Sequence, residues 1–280
     1  MPEAQGTAAL ENEWSFPTGP LGELTAAAEL RAHALESASA ALDRNARAAA
    51  PVASFADALA RGRTVAVIAE LKRRSPSKGA INEALDVRKR AAEYAAAGAA
   101  ALSVLTEPAR FGGSLDDLTS VHATVALPLL RKDFIVHRLQ LLEARAGGAS
   151  AVLLIARALT PARRTALAAE ALDIGLDVLL EVRSERELEL ALRVERAVIG
   201  INNRNLETLV MDDSVSARLL PLVPPHRTVV YESGVTSRAD VERAAALGAD
   251  AVLVGSSLSS AGDGAAAAAL LTGVPRRARG

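Results

Sequence analysis

The stretch Pro128–Ile155, PLLRKDFIVHRLQLLEARAGGASAVLLI, decides the fold. It opens on a short apolar run, Pro128–Arg131. Arg138–Ala146 follows, rich in Ala, Leu, Glu and Arg with helical spacing. A second apolar run, Ala151–Ile155, closes the unit. Gly148-Ala149-Ser150 lies between helix and second run. A glycine there ends a helix in a left-handed cap and lets the next strand enter tightly. A strand, a helix and a strand in so short a span read as one β-α-β unit with parallel strands.

The same grammar extends along most of the chain in both directions. Strands are expected at Val65–Ala69, Ala101–Leu105, Pro128–Arg131, Ala151–Ile155, Asp177–Leu180, Val198–Ile201, Thr228–Tyr231 and Ala251–Val254. Helical stretches fall between them, among them Asp86–Ala97, Pro161–Leu172, Glu185–Leu192 and Ser237–Leu247. Gly98-Ala99-Ala100-Ala101-Leu102 and Gly248-Ala249-Asp250-Ala251-Val252 repeat the Gly148 pattern. Good loop chemistry and an ancestral repeat explain this equally well. Eight β-then-α units with strands apolar on both faces predict an α/β fold: a closed (β/α)8 TIM barrel with an additional N-terminal helical segment. A length of 280 residues suits one such domain.

The ends fit the barrel less well. Residues 1–22 are polar, contain Pro and Gly, and read as a flexible extension. Leu24–Ala60 reads as one or two Ala-rich helices, so the barrel with its helices spans 23–273. Pro275–Gly280 reads as a basic, flexible tail, giving a final segment of 274–280.

Composition narrows the function. Half of the residues are apolar and only 2% aromatic, so Ala, Val and Leu must build the core. A net charge of −1 gives no basic footprint for nucleic acid. Apolar runs such as Ala149–Ala156 are far shorter than the roughly 20 residues that span a bilayer. Met1–Gly6 lacks the basic and apolar segments of a secretion signal. No cysteine is present, which excludes disulfides and thiolate chemistry and is compatible with a reducing cytosol. The four histidines, His33, His122, His137 and His226, form no metal-ligand spacing. The chain is therefore expected to be cytoplasmic, without metal or cofactor, and to bind neither nucleic acid nor membrane. A monomer is expected, with an oligomer left open.

In parallel barrels, functional side chains gather at the C-terminal strand ends. Here those ends carry Glu70 and Lys72, Thr106-Glu107, Lys132-Asp133, Glu181, Asn202-Asn203-Arg204, Glu232-Ser233-Gly234 and Gly255-Ser256-Ser257. Strand side chains alternate, so Ile68, Glu70 and Lys72 share a face, as do Leu130 with Lys132, Leu179 with Glu181, and Gly200 with Asn202. One charged strand end is ordinarily a solvated loop residue. Five with the same inward parity point to acid–base chemistry in one mouth, the alternative being a structural ring of ion pairs. Ser233-Gly234 and Gly255-Ser256, after the last two strands, are small enough to expose backbone N–H groups to a phosphate.

The segment IAELKRRSPSKG, Ile68–Gly79, closely resembles the signature of indole-3-glycerol phosphate synthases. SVLTE (103–107), LRKDFIV (130–136), LEV (180–182), GINNRNL (200–206), ESGV (232–235) and VGSSL (254–258) agree, in family order. The resemblance implies ring closure of 1-(2-carboxyphenylamino)-1-deoxyribulose 5-phosphate, with loss of CO₂ and water, in tryptophan biosynthesis. It implies catalytic roles for Glu70, Lys72, Lys132, Glu181, Asn202 and Glu232. Lys132 is the favoured acid of ring closure, while Lys72 lies near the substrate carboxylate; the assignment of each lysine to a step stays open. Glu70 matches an acid or base of dehydration, and Glu181 a carboxylate that stabilises the cationic intermediate. Substrate binding falls to Ser75, Phe111, Phe134 and Arg204, and phosphate binding to Ser233, Gly234, Gly255 and Ser256. Asn203 is expected to be structural, His122 and His137 to be surface helix residues, and Arg73–Ala84 to form a mobile lid. A phosphoribosylanthranilate isomerase-like barrel is disfavoured because it needs a cysteine. A barrel that merely binds phosphate is disfavoured because the Lys and Glu set is intact. A structural subunit of a tryptophan-pathway complex remains the third alternative.

Overall fold

The computed structural model describes residues 14–279. Eight parallel strands alternate with helices: β1 (Ala66–Leu71), β2 (Ala101–Leu105), β3 (Leu129–Lys132), β4 (Ala151–Ile155), β5 (Asp177–Val182), β6 (Val198–Asn202), β7 (Val229–Glu232) and β8 (Ala251–Val254). They close into a barrel because β1 pairs with both β2 and β8. The expected (β/α)8 TIM barrel is thus the observed fold. Several strands run one or two residues further than the apolar runs alone suggest. The parallel ladder carries them on: Leu105 pairs in register with Lys132, Glu181 with Gly200, and Asn202 with Glu232. Glu70, Lys132, Glu181, Asn202 and Glu232, expected just past the strands, therefore lie within the last two residues of the strands, held by sheet hydrogen bonds.

Every strand residue but Asp177 and Lys132 is buried, and the core is built mainly of Ala, Val, Leu and Ile. Small residues allow close approach, and each fully buried Leu or Ile contributes about 1.5–3 kcal/mol. The helices begin where their sequences offer caps. Asp86, Ser114, His137, Thr160, Ser184 and Ser237 each accept a backbone N–H in the first turn. His137 is thus a cap, and His122 is the last residue of the helix Leu115–His122. Gly98, Gly148 and Gly248 adopt φ of 88°, 84° and 88°, the left-handed turns the repeat required.

The N-terminal region departs from the reading at its boundaries. Among the described residues, three α-helices, α1 (Gly19–Ala34), α2 (Ser39–Ala48) and α3 (Phe55–Ala60), precede the barrel. Met1–Glu13 lie outside the described residues. Residues 14–22, expected to belong to a flexible extension, are instead docked. The Trp14 indole donates to the Arg157 carbonyl at 3.3 Å, and Leu21 is buried. The overlooked signal was Thr18-Gly19-Pro20, a helix start with proline in the first turn. At the other end of the barrel, Phe55 and Leu59 of α3 are fully buried, and Asp177 at the start of β5 accepts bonds from Ser54 Oγ and Ala56 N at 2.9 and 3.0 Å. The C-terminal segment is also docked rather than loose. Pro275 bridges to Thr64, and Arg279 donates to Asp250 at 2.8 Å. Arginines in this tail find buried carbonyls and a carboxylate, so its basic character is structural.

Candidate active site

The C-terminal ends of the strands open into one cavity of about 310 Å³. All of the catalytic and binding residues expected from the sequence line it. Lys72, Lys132, Glu70 and Glu181 gather in this one mouth with Gly255.

Two lysine–carboxylate groups organise the interior. Glu70, near the end of β1, is 4% exposed; Lys72 Nζ lies 2.7 Å from its Oε1, and Ser103 Oγ donates to Oε2 at 3.3 Å. Burial pushes the Glu70 carboxyl up, but Lys72 and Lys132 outweigh it and hold the group below the usual range, hence ionised. Lys132, at the end of β3, stands 2.9 Å from Glu232 Oε2 and 3.6 Å from Glu181 Oε2. Burial lowers its pKa, yet Glu232, Glu181 and Glu70 together raise it well above that of a free lysine. Glu232 is pushed up to about 7, by burial first and by its Glu181 and Glu70 neighbours, against the pull of Lys132. Its Oε1 is buried and has no hydrogen-bond partner among the described residues.

Two glycines make this packing possible. A Cβ at Gly200 would sit 2.1 Å from Glu232 Oε1, and one at Gly255 would sit 2.3 Å from Glu70 Oε1 and 2.8 Å from Lys72 Nζ. Gly255, assigned from sequence to an anion cradle, therefore also leaves room for the Glu70–Lys72 pair.

Around this centre stand the remaining groups. Asn202 Oδ1 accepts from Ser233 Oγ and from the Arg204 N–H, both at 2.9 Å. The Arg204 guanidinium donates to the Leu209 carbonyl at 3.0 Å, and burial lowers its pKa. Phe111 and Phe134 face each other, ring centres 6.3 Å apart and tilted by 42°. Ser233 and Gly234 have consecutive positive φ values of 66° and 90°, and a short helix, Ser256–Ser259, follows Gly255. Among the described residues, the N–H groups of Gly234 and Gly255 donate to no protein acceptor. Successive left-handed or turn residues point N–H groups into a concavity that suits an anion. Ser75 is buried in the loop after β1, where Arg74–Ser75 pairs with Gly79–Ala80 in a small hairpin. Asn203 is fully buried and holds Ser216 N and the Ser233 carbonyl, a structural role as expected.

Sequence reasoning assigned no site role to four contributors. Leu21 and Leu24 of α1 line the cavity as an apolar wall. Asp133, beside Lys132, also lines it; its Oδ1 accepts from Arg31 of α1 at 2.7 Å and its Oδ2 from Thr106 Oγ at 2.8 Å. Ser103, mid-strand in an apolar run, was legible as polar, but its partner depends on the β1–β2 register.

The profile of the indole-3-glycerol phosphate synthase family matches residues 24–271. The chain belongs to this family. Members are carboxy-lyases of tryptophan biosynthesis that act on a phosphorylated small molecule. An indole-3-glycerol phosphate synthase of Nocardioides sp. is 51% identical over 208 residues, covering 74% of this chain and 80% of that protein. One named indole-3-glycerol phosphate synthase 2, from Streptomyces coelicolor, is 48% identical over 224 residues, covering 80% and 86%. The solved 3-hexulose-6-phosphate synthase of Salmonella typhimurium superposes with a TM-score of 0.59 over 74% of this chain and 96% of that one; at 15% identity it shows the shared barrel alone. Among the described residues, no helix is long and apolar enough to cross a membrane.

Proposed function

We propose that this chain carries out the reaction of its family on 1-(2-carboxyphenylamino)-1-deoxyribulose 5-phosphate, forming indole-3-glycerol phosphate, CO₂ and water. One observation carries the reading: the pairs Lys72–Glu70 and Lys132–Glu232, at 2.7 and 2.9 Å, share a single cavity with two phenylalanines and an N–H-rich turn. Few other chemistries need an aromatic slot, an anion cradle and two buried ammonium groups together.

In this reading, Ser233, Gly234, Gly255 and Ser256 hold the phosphate, and Phe111 and Phe134 pack on the anthranilate ring. Lys72, Ser75 and Arg204 meet the substrate carboxylate. Lys132, held protonated by three carboxylates, donates to the ketone oxygen as the ring carbon attacks the ketone carbon. The cation that forms is stabilised by Glu181 and Glu232, which are fixed, buried and already oriented by Lys132. Loss of CO₂ returns an electron pair to the ring. Glu70, ionised beside Lys72, takes the proton from the carbon next to the amine while Lys72 protonates the hydroxyl, which departs as water. Asn202 orients Ser233 and the Arg204 backbone. The reaction is placed in the cytoplasm, and the protein acts as a monomer.

An ultraviolet assay of indole formation by the purified protein tests the reading. Turnover of the carboxyphenylamino-deoxyribulose phosphate is expected; an inert, folded protein would overturn it. Elution as a dimer from a sizing column would overturn the monomer.

A further inference from the structure

A second, smaller hollow of about 110 Å³ lies behind Glu181, lined in part by Arg157, Glu181, Arg183, Glu187, Arg204 and Glu207. Glu181 and Arg204 also line the main cavity, so they form the wall between the two. Arg183, Ser184 and Glu207 are only partly buried, which puts the outer side of the hollow at the surface. The space and its polar lining suit several water molecules, each needing roughly 30 Å³.

The reaction proposed above needs such a route. The ketone oxygen leaves as water and so gains two protons. The carbon beside the amine gives up one, and the carboxylate leaves as CO₂ without a proton. One proton per turnover must therefore come from bulk solvent into a site roofed by α1.

We infer that the hollow behind Glu181 is the entry path for this proton, and that Glu187 passes it inward from solvent. The inference rests on the proposed reaction. Glu187 Oε2 accepts the Arg183 N–H at 2.6 Å, which fixes the carboxylate in the lining of the hollow. Burial raises its carboxyl; bonds from Arg183 and Ser184 and the charge of Arg157 oppose this, and Glu181 adds to it. The other charged groups around it are Arg164, on the helix Pro161–Asp173, and Arg204 and Glu207, after β6. A carboxyl that takes a proton more readily than a free one, on the path to Glu181, is suited to relay.

Glu187 also ties Arg183, just ahead of the helix Glu185–Leu192, to the first turn, and the test must separate the two roles. Glu187→Gln keeps the oxygen that accepts from Arg183 and removes the titrating group. Single-turnover rates of indole formation, which exclude product release, are measured across pH for the wild type and for Glu187→Gln. The variant is expected to melt with the wild type, to lose about tenfold in rate at high pH, where protons are scarce, and to lose less at low pH. Added imidazole is expected to restore part of the Glu187→Ala rate while leaving the wild type unchanged. A wild-type rate in Glu187→Gln at every pH, or a uniform loss that imidazole does not rescue, would overturn the relay alone. An inert wild type would overturn the reaction and the relay with it.

Discussion

Lys132 donates a 2.9 Å hydrogen bond to one oxygen of Glu232, while the other oxygen of that carboxylate is buried without a partner among the described residues. The pair is thus half-satisfied: the ammonium is held charged, and the carboxylate stands close to taking a proton. A carboxyl raised from 4.5 to about 7 binds a proton more tightly in the folded than in the unfolded chain. Between those values the folded state carries the extra proton, so stability falls as pH rises through the window and levels off above it. Urea melts across that range should show this slope, and Glu232→Gln should flatten it. In activity the sign reverses. Ionised Glu232 orients Lys132, so kcat/KM should rise through about pH 7, and the Gln variant should lose that acid limb. An unchanged limb would detach Glu232 from Lys132.

Lys132 and Glu70 should each prove essential to turnover but not to the fold. Lys132→Ala removes the proton donor assigned to ring closure and is expected to lower kcat about 10²–10⁴-fold. Glu181, Glu232 and Glu70 lose a shared counter-charge, but they line a cavity open to water and can take up protons instead, so the fold should persist. Glu70→Ala should likewise fold and lose most turnover. Circular dichroism with the indole assay checks both, and near-normal kcat in Lys132→Ala would remove that residue from the chemistry.

Gly200 offers a test that touches no charged residue. Its missing side chain leaves space for Glu232 Oε1, which an added Cβ would meet at 2.1 Å. Gly200→Ala must therefore push Glu232 away from Lys132. The barrel should still form, because β6 is bonded on both sides, while kcat should fall by about tenfold or more, since a small misplacement of a catalytic group is costly. A fully active Gly200→Ala would mean that the Lys132–Glu232 contact is incidental.

How much of this was legible from residues alone follows from the range of the forces involved. The barrel was legible because apolar runs, repeated eight times, and the caps and glycines between them are local signals. The inward set Glu70, Lys132, Glu181 and Asn202 was legible because strand parity is also local. Which lysine meets which glutamate was not: Glu232 and Lys132 are separated by 100 residues, and their contact follows from barrel closure and register. The docking of residues 14–22 was hidden for a similar reason, since its partners, Arg157 and Glu207, lie on loops after β4 and β6. The tail was misread because its arginines look solvated until the carbonyls that receive them are in place.

The anion cradle makes a prediction of direction. Ser256 opens the short helix after β8, beside the N–H-rich turn proposed above to hold the phosphate. Ser256→Asp places a negative charge against that group. KM should rise steeply, about 100-fold, since each factor of ten is 1.4 kcal/mol and charge repulsion in a partly dry site exceeds that. Inhibition by inorganic phosphate should weaken in parallel while the melting temperature barely moves. Unaltered phosphate inhibition would relocate the cradle.

The anchoring of α1 yields the last expectation. Glu207 Oε1 accepts from Thr18 N at 2.7 Å, Thr18 Oγ at 3.1 Å and Arg157 Nη2 at 2.9 Å, and Oε2 accepts from Arg157 Nε at 3.2 Å. Thr18 is the N-cap of α1 but makes no side-chain cap bond of its own, so Glu207 satisfies the helix end from across the barrel mouth. Helix α1 carries Leu21 and Leu24 into the cavity. Glu207→Ala should therefore loosen the roof without touching the reacting groups. The expected result is a several-fold higher KM, a smaller change in kcat, and faster proteolytic cleavage ahead of Leu21, with a loss of about 1–3 kcal/mol in stability. Equal cleavage rates in wild type and variant would show that α1 is held by its other contacts, Arg31 with Asp133 foremost among them.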